Sequence, residues 1–396
     1  MDDHWEDRCA ITGIGISDIG RNTGTPTVDL AVAACRQAIA DAGLSASDID
    51  GVTTVGDAPV AQVVAALGIE PGWTGRGGSA ASGSAVGGSF AGVLNACRAV
   101  ASGAARHALV YRSVAMLGGA TVPRDGPAAT AAAAPLARDV ADEMADIPEL
   151  MTYHAYSAAN WLAMHLQRYM HLYGTTRDQL GWIAVNGRRN AALNPRAIYR
   201  DPITIDDYLR ARWISEPLGL LDCDVPVDGA CAFVVSRPDL AADAPHGAVR
   251  IAAAARVSTG SWSYRPDYPL MASADAAAEL WRRTELRPAD VDVAELYDGF
   301  SFLTLAWLEA LGFCGRGEGG PFVEGGARIA RDGVLPLNTY GGQLSAGRMH
   351  GHWVLHEAVT QLRGAAGARQ VIRHDVGIVS TGGGPIATCM VLTRPR

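Results

Sequence analysis

One plan is written twice in this chain, and that repetition constrains the fold more than any other feature. "AVAACRQAIADAGLSASDIDGVTTVGD" opens with apolar residues at helical spacing, stops at Gly43, turns through polar residues and enters an apolar strand. "ADAAAELWRRTELRPADVDVAELYDG" runs through the same order much later, with Leu286, Asp290 and Asp292 standing for Leu44, Asp48 and Asp50 at one constant offset. A second echo follows the first. The helix pattern "SFAGVLNACRAVASG" leads into the strand "RHALVYRS", and "HWVLHEAVTQLRG" leads into "VGIVSTGGG". Two such pairs in the same order predict a duplicated α/β half. The expected halves are residues 8–245 and 246–396. Residues at about 115–215 read as an insertion into the first half, beginning with an Ala/Gly/Pro-rich loop and continuing through the helical "HAYSAANWLAMHLQRYMHLYG". Such an insertion serves as a lid or a substrate wall.

Composition removes several function classes. At 396 residues and a net charge of −8, with no Lys/Arg block, the chain lacks the basic face that nucleic acid requires. No apolar run reaches membrane-spanning length, and the first residues lack a secretory h-region, so a cytoplasmic protein is expected. The seven cysteines are scattered without a CxxC pair, which argues against a disulfide framework and a zinc site. No metal site is expected.

The stretch "LNTYGGQLSAGRMHGHW" gathers Tyr340, Arg348, His350 and His352 among glycines ahead of a helix. It lacks the order of a phosphate-binding P-loop. With "AELYDGFSFLTLAWLEALGFCGRGEGGPFVEGG", "HLYGTTRDQLGWIAVNGRRNAALNP", "WISEPLGLLDCDVPVDGACAFVV" and "VSTGGGPIATCMVL", it resembles the thiolase superfamily, and most closely the sterol-carrier, lipid-transfer-protein type. The resemblance covers nearly the whole chain except the loop at 115–145. It implies a thiolase-like α/β fold of five layers, αβαβα, made of two duplicated halves. It also implies dimers and CoA thioesters as substrates, with no tightly bound cofactor.

Thiolases use a cysteine at the N-terminus of a buried helix. That position falls at or near Val86 here, and Cys97 lies three turns further on as a core residue. The thiolase histidine falls on Arg348, and the second cysteine on Ser380. One branch of the family has lost the cysteine and cleaves steroid side-chain β-hydroxyacyl-CoA thioesters by retro-aldol chemistry. Its members carry "LYD", found here as Leu296-Tyr297-Asp298, and a second catalytic tyrosine at the position of Arg348, where this sequence departs from them.

The resemblance therefore implies an acyl-CoA retro-aldolase acting on a bulky substrate, steroid-like among the candidates. A thiolase-like acyltransferase or condensing enzyme and a non-catalytic lipid-binding protein are the alternatives. The catalytic candidates are Tyr297, Tyr340, Arg348 and His350. Tyr297 and Tyr340 would share proton transfer, Arg348 would lower the pKa of one phenol, and His350 would donate to the thioester oxygen. Asp298 would orient one of these side chains, Ser380 would support the site or simply pack in place of the cysteine, and the N–H groups of Gly383 and Gly384 would assist at the oxyanion. His352 and His356 read as solvated helix residues. The branch also implies a small zinc-binding OB-fold partner alongside the homodimer.

Overall fold

The computed structural model describes residues 4–56, 58–76, 90–116, 147–241, 243–261 and 271–395. The segment around Val86 and most of the loop at 115–145 lie outside the described residues. The first half comprises β1 (Ala10–Ile16), α1 (Thr27–Asp41), β2 (Gly51–Thr54), α2 (Val60–Leu67), β3 (Trp73–Arg76), α3 (Ala91–Ser102) and β4 (His107–Ala115). Helices α4 (Ile147–Thr152), α5 (Ala158–Tyr173), α6 (Arg177–Ala191) and α7 (Ile205–Arg210) follow, then the small hairpin β5 (Trp213–Ser215) and β6 (Leu218–Gly219), and then β7 (Asp228–Ser236). The second half comprises β8 (Val249–Ser258), α8 (Ala272–Arg282), β9 (Val293–Glu295), α9 (Ser301–Ala310), α10 (Gly319–Val323), α11 (Gly342–Ser345), α12 (His352–Leu362), β10 (Val376–Gly382) and β11 (Ile386–Thr393).

Strand pairing displays the duplication. The order across the nine-stranded sheet is β3-β2-β4-β7-β1-β8-β11-β10-β9. In the first half β2 and β4 are parallel, and β4–β7 and β7–β1 are antiparallel. In the second half β9 and β10 are parallel, and β10–β11 and β11–β8 are antiparallel. The repeated aspartates hold equivalent posts. Asp48 and Asp290 each accept a backbone N–H three residues upstream, from Ser45 and Arg287, both at 2.8 Å. Asp50 accepts from the N–H groups of Arg106 and His107 at the start of β4, at 2.9 and 3.0 Å. Asp292 accepts from Asp375 and Val376 at the start of β10, at 2.8 and 3.1 Å.

Side-chain alternation then generates the layers. Leu109, Tyr111, Ala230, Ala232 and Val234 face α1 and α2, whereas their strand neighbours Ala108, Val110, Cys231, Phe233 and Val235 face a central cluster. On the other side Val379, Met390 and Leu392 reach the same central cluster, and Ile378, Cys389 and Val391 pack toward α8 and α9. Both half-sheets therefore press on one middle layer, which holds α3 and α12. The sheet must turn back on itself where β1 meets β8, and there the pairing involves only Ala10 with Arg250 and Ile11 with Val249. The result is the αβαβα arrangement. No helix among the described residues is long and apolar enough to cross a membrane.

The "GIGI" run of β1 is set by close backbone approach. A Cβ on Gly15 would lie 2.1 Å from the Ala34 carbonyl oxygen of α1, and one on Gly13 would lie 2.1 Å from that of Ala38. Backbone atoms cannot swing aside as a side-chain tip does. Gly15→Ala is expected to destabilise by about 1–3 kcal/mol through overpacking, read as a lower urea midpoint at unchanged slope.

Candidate active site

The parallel strands β9 and β10 end side by side, and their exits build the site, as expected for a crevice at strand C-termini. From β9 comes Leu296–Phe300. Leu296 N–H donates to Asn338 Oδ1 at 2.7 Å, and Tyr297 N–H donates to Ser380 Oγ, at the end of β10, at 3.0 Å. The segment before α11 runs along the outer side of β9. Ala294 N–H donates to Pro336 O at 2.9 Å, and Asn338 N–H returns to Ala294 O at 3.0 Å. Thr339 N–H donates to buried Glu295 at 3.0 Å, and its hydroxyl bonds the same oxygen.

Asp298 serves as a cap. Its carboxylate accepts the N–H of Gln343 at 2.8 Å and of Leu344 at 3.3 Å. Gly342, at φ 65°, is the residue that permits this, since a Cβ there would stand 1.9 Å from Asp298 Oδ2. Burial pushes the Asp298 carboxyl up to about 7. The ring of Tyr297 folds back over Gly299, where an added Cβ would meet ring carbons at 2.7 Å. Burial, reinforced by the charge of Asp224, raises its phenol pKa, while Arg348 pulls it down.

Arg348 is anchored by its N–H on Val225 O at 2.8 Å, and its Nη1 lies 3.3 Å from Asp224 Oδ1. The expected lowering of a phenol pKa by this cation is thus offset by a carboxylate, and Tyr297 remains a neutral phenol. Tyr340 takes a different place from the one expected. It is fully buried in the central cluster, its ring 5.2 Å from that of Trp353, and its hydroxyl makes no hydrogen bond among the described residues. No hydrogen bond or ring contact joins it to Tyr297 or Arg348 among the described residues. The packing that retains it there is apolar, and burial raises its pKa well above the usual phenol value.

His350, at φ 48°, points its Nδ1 at the Arg112 guanidinium, 2.6 Å from Nη2. Arginine only donates, so Nδ1 must accept and the ring proton sits on Nε2. Burial and the Arg112 charge hold the imidazole pKa well below its ordinary value. The site thus contains a neutral histidine with a fixed tautomer, and its Nε2–H is the hydrogen-bond donor. Gly383 departs from its expected role, because its N–H is committed to Ile386 O at 2.8 Å in the β10–β11 turn. Gly384 enters through its carbonyl, which accepts the Ala272 N–H at the start of α8, at 2.8 Å. Ser380 is fully buried, and its Oγ accepts the backbone N–H of Tyr297.

Two site residues escaped the sequence reading. Arg112 lies in an otherwise apolar strand, is 2 % exposed and also donates to Val55 O at 2.9 Å. A lone arginine inside such a strand was the available signal. Asp224 sits between β6 and β7, and burial pushes its carboxyl up to about 6 against the pull of Arg348. His352 and His356 are not solvated. His352 is fully buried between Phe90 and Phe233, and His356 is half-buried, because α12 is a middle-layer helix covered on nearly every side. Among the described residues no three His, Cys, Asp or Glu side chains are grouped to hold a metal. Cys97 is buried in α3 with its thiol pKa raised well above normal, and Cys223, beside Asp224, is pushed up to about 12.

The chain as a whole is similar to known proteins. Residues 254–394 match the thiolase C-terminal domain-like family model. A 17-hydroxy-3-oxo-4-pregnene-20-carboxyl-CoA lyase of Mycobacterium tuberculosis is 39% identical, over 91% of this chain and 92% of its own length. A steroid side-chain-cleaving aldolase of Thermomonospora curvata is 36% identical over 90% of each. The chain belongs to the thiolase superfamily, among the steroid side-chain-cleaving aldolases. A solved structure described as an Ltp2-ChsH2(DUF35) aldolase superposes with a TM-score of 0.85 at 33% identity, covering 99% of both chains. The chain is accordingly an enzyme of the lyase class on a thiolase-like scaffold.

His352 offers a pH test of this aldolase-family site. Burial lowers its pKa from 6.5 to about 3. A depressed histidine favours the folded state fully above the unfolded value, and that contribution is lost as pH falls from about 6.5 toward 3. Wild type should therefore lose stability between pH 6.5 and 5 faster than His352→Asn. The difference approaches about 1.4 kcal/mol per pH unit for one proton, and thermal melts of both proteins across that range measure it.

Proposed function

We propose that the chain cleaves the bond between the α- and β-carbons of a bulky β-hydroxyacyl-CoA, a steroid side-chain thioester being the favoured class. The products are a shortened acyl-CoA and a carbonyl compound. The observation that carries this reading is the setting of Tyr297 at the exit of β9, where its N–H donates to Ser380 Oγ at 3.0 Å and its loop is tied through Gly299 O to Asp224, the partner of Arg348. A retro-aldol step needs a donor for the oxygen that becomes a carbonyl, and another for the enolate developing on the thioester oxygen. Tyr297 supplies the first as a neutral phenol. The Nε2–H of His350, its tautomer fixed by Arg112, supplies the second. Asp298, by capping the turn that leads to Arg348, holds the two loops in register.

The same reading has the enzyme work in the cytoplasm as a homodimer with a small zinc-binding OB-fold partner. The relative named Ltp2-ChsH2(DUF35) aldolase is itself a two-component protein by that name, and the physical argument for a dimer is cover for the edge strand β3. Sedimentation of the isolated chain at micromolar concentration should give twice the chain mass, and a monomer would count against the dimer.

Incubation of the chain, co-expressed with such a partner, with β-hydroxyacyl-CoA candidates should release both products by mass spectrometry. A stoichiometric thioester on a cysteine would instead support acyl transfer. Tyr297→Phe should reduce kcat by about 10²–10³-fold, the usual cost of removing one oxyanion-type donor, with CoA binding retained by calorimetry. Near-normal cleavage by this variant would remove Tyr297 from the mechanism.

A further inference from the structure

A retro-aldol step also needs a base, and the groups already described do not provide one. The Tyr297 phenol is held neutral by burial. The Nδ1 of His350 already accepts from Arg112, and its Nε2 carries the ring proton. Arg348 is a permanent cation. Three carboxylates lie nearby. Asp298 accepts two backbone N–H groups of the α11 turn. Asp222 accepts from the Tyr208 hydroxyl at 2.7 Å, from the Gly219 N–H at 2.7 Å and from the Ser301 hydroxyl, so it pins the start of α9. Asp224 differs from both, because among the described residues the only hydrogen-bond partner of its carboxylate is Arg348, through Oδ1. Its Oδ2 accepts from none of them.

The backbone around Asp224 fixes where that oxygen stands. Cys223 forms an antiparallel bridge with Phe300, and Asp224 N–H donates to Gly299 O at 3.1 Å. Val225 N–H donates to Gln343 O at 2.9 Å, and Val225 O accepts from Arg348 N–H at 2.8 Å. Residues 223–225 are thus a rib stitched to the Tyr297 loop on one side and to the Arg348 loop on the other. The Asp224 side chain carried by that rib is 8 % exposed and meets Arg348.

Resting on the retro-aldol reading above, we propose that Asp224 is the proton-transfer residue of this enzyme, kept ionised and aimed by Arg348. Its carboxylate removes the β-hydroxyl proton. The O–H electron pair becomes the new C=O bond, the α–β carbon bond breaks, and its electrons pass into the thioester as an enolate. The protonated Asp224 then returns the proton to the α-carbon, giving the shortened acyl-CoA and a regenerated carboxylate. No oxidant or further reactant is required. The two oxygens divide the work, Oδ1 on the guanidinium and Oδ2 on the substrate. Arg348 is then the counter-ion of the proton carrier.

The charged and titratable groups around Asp224 are Arg348, Tyr297, Asp298, Asp222 and Cys223. A carboxylate base near 6 loses function as pH falls through that value. In the partner-bound holoenzyme, kcat should decline below about pH 6 with unit slope. Asp224→Asn should lower kcat by about 10²–10⁴-fold, with KM changed little and the acid limb abolished. Asp224→Glu should recover part of the rate, and formate should partly rescue Asp224→Gly. In D2O, wild type should exchange the α-hydrogens of the acyl-CoA product, and Asp224→Asn should not. An Asp224→Asn enzyme within about threefold of wild type, or one that keeps the acid limb, overturns the proposal. If the variants fail to fold, the pH dependence of α-hydrogen exchange by wild type decides, and exchange unaffected between pH 5 and 7 overturns the proposal. Wild-type enzyme that cleaves no β-hydroxyacyl-CoA removes the underlying reading instead, whatever Asp224 does.

Discussion

The two half-sheets press on one middle layer, and the rest of the molecule follows from that shared core. The helices that precede β4 and β10 lie inside the protein, so Phe90, Trp353, Phe233 and Met390 pack in a single cluster drawn from both halves. A layer with no outer face can carry charged groups only where partners are built in, and other polar groups only uncharged. Glu357 of α12 meets this demand through Arg369 at 2.8 Å and a shared bond with Thr339. His352 meets it by remaining uncharged. The site forms where this layer ends, and for that reason it draws Arg112 from one half and His350 from the other.

The duplication was legible because it is a matter of order and spacing, which a sequence states directly. Asp48 with Asp290, and Asp50 with Asp292, repeat because short polar turns leave backbone N–H groups that a carboxylate at a fixed offset can satisfy. Tyr297 and Arg348 were legible as motif positions. The role of Tyr340 was not, because nothing in "NTYGG" tells whether a tyrosine faces a cleft or a core. Asp224 lay hidden in "LDCDVPVDG", where three aspartates look alike and differ only in what they accept. Histidines 352 and 356 were read as solvated because a helix with polar residues normally has a wet side, and α12 has none to speak of.

The chemistry inverts what a cysteine-based thiolase asks of the same scaffold. A nucleophile must be ionised, whereas on the proposed retro-aldol reading the two donors, Tyr297 and His350, act by staying neutral under burial. Beside the buried Arg112, the charge that reaches the surface is the ion pair of Arg348 with Asp224, whose arginine is part-exposed. Burying such a pair wholly would cost more than its attraction returns, and leaving it half-open keeps one carboxylate oxygen available.

The strip of chain at 336–338 that runs along β9 has a consequence for how the enzyme dies. It occupies the N–H and C=O of Ala294, which would otherwise be an open sheet margin, and it continues without interruption into the loop bearing Arg348 and His350. Disorder that begins in the working loop therefore peels the cover from a strand edge, and a bare edge recruits other chains. Heat inactivation and the onset of aggregation should be one event in this protein, with turbidity rising at the temperature where activity falls rather than at a later global melt.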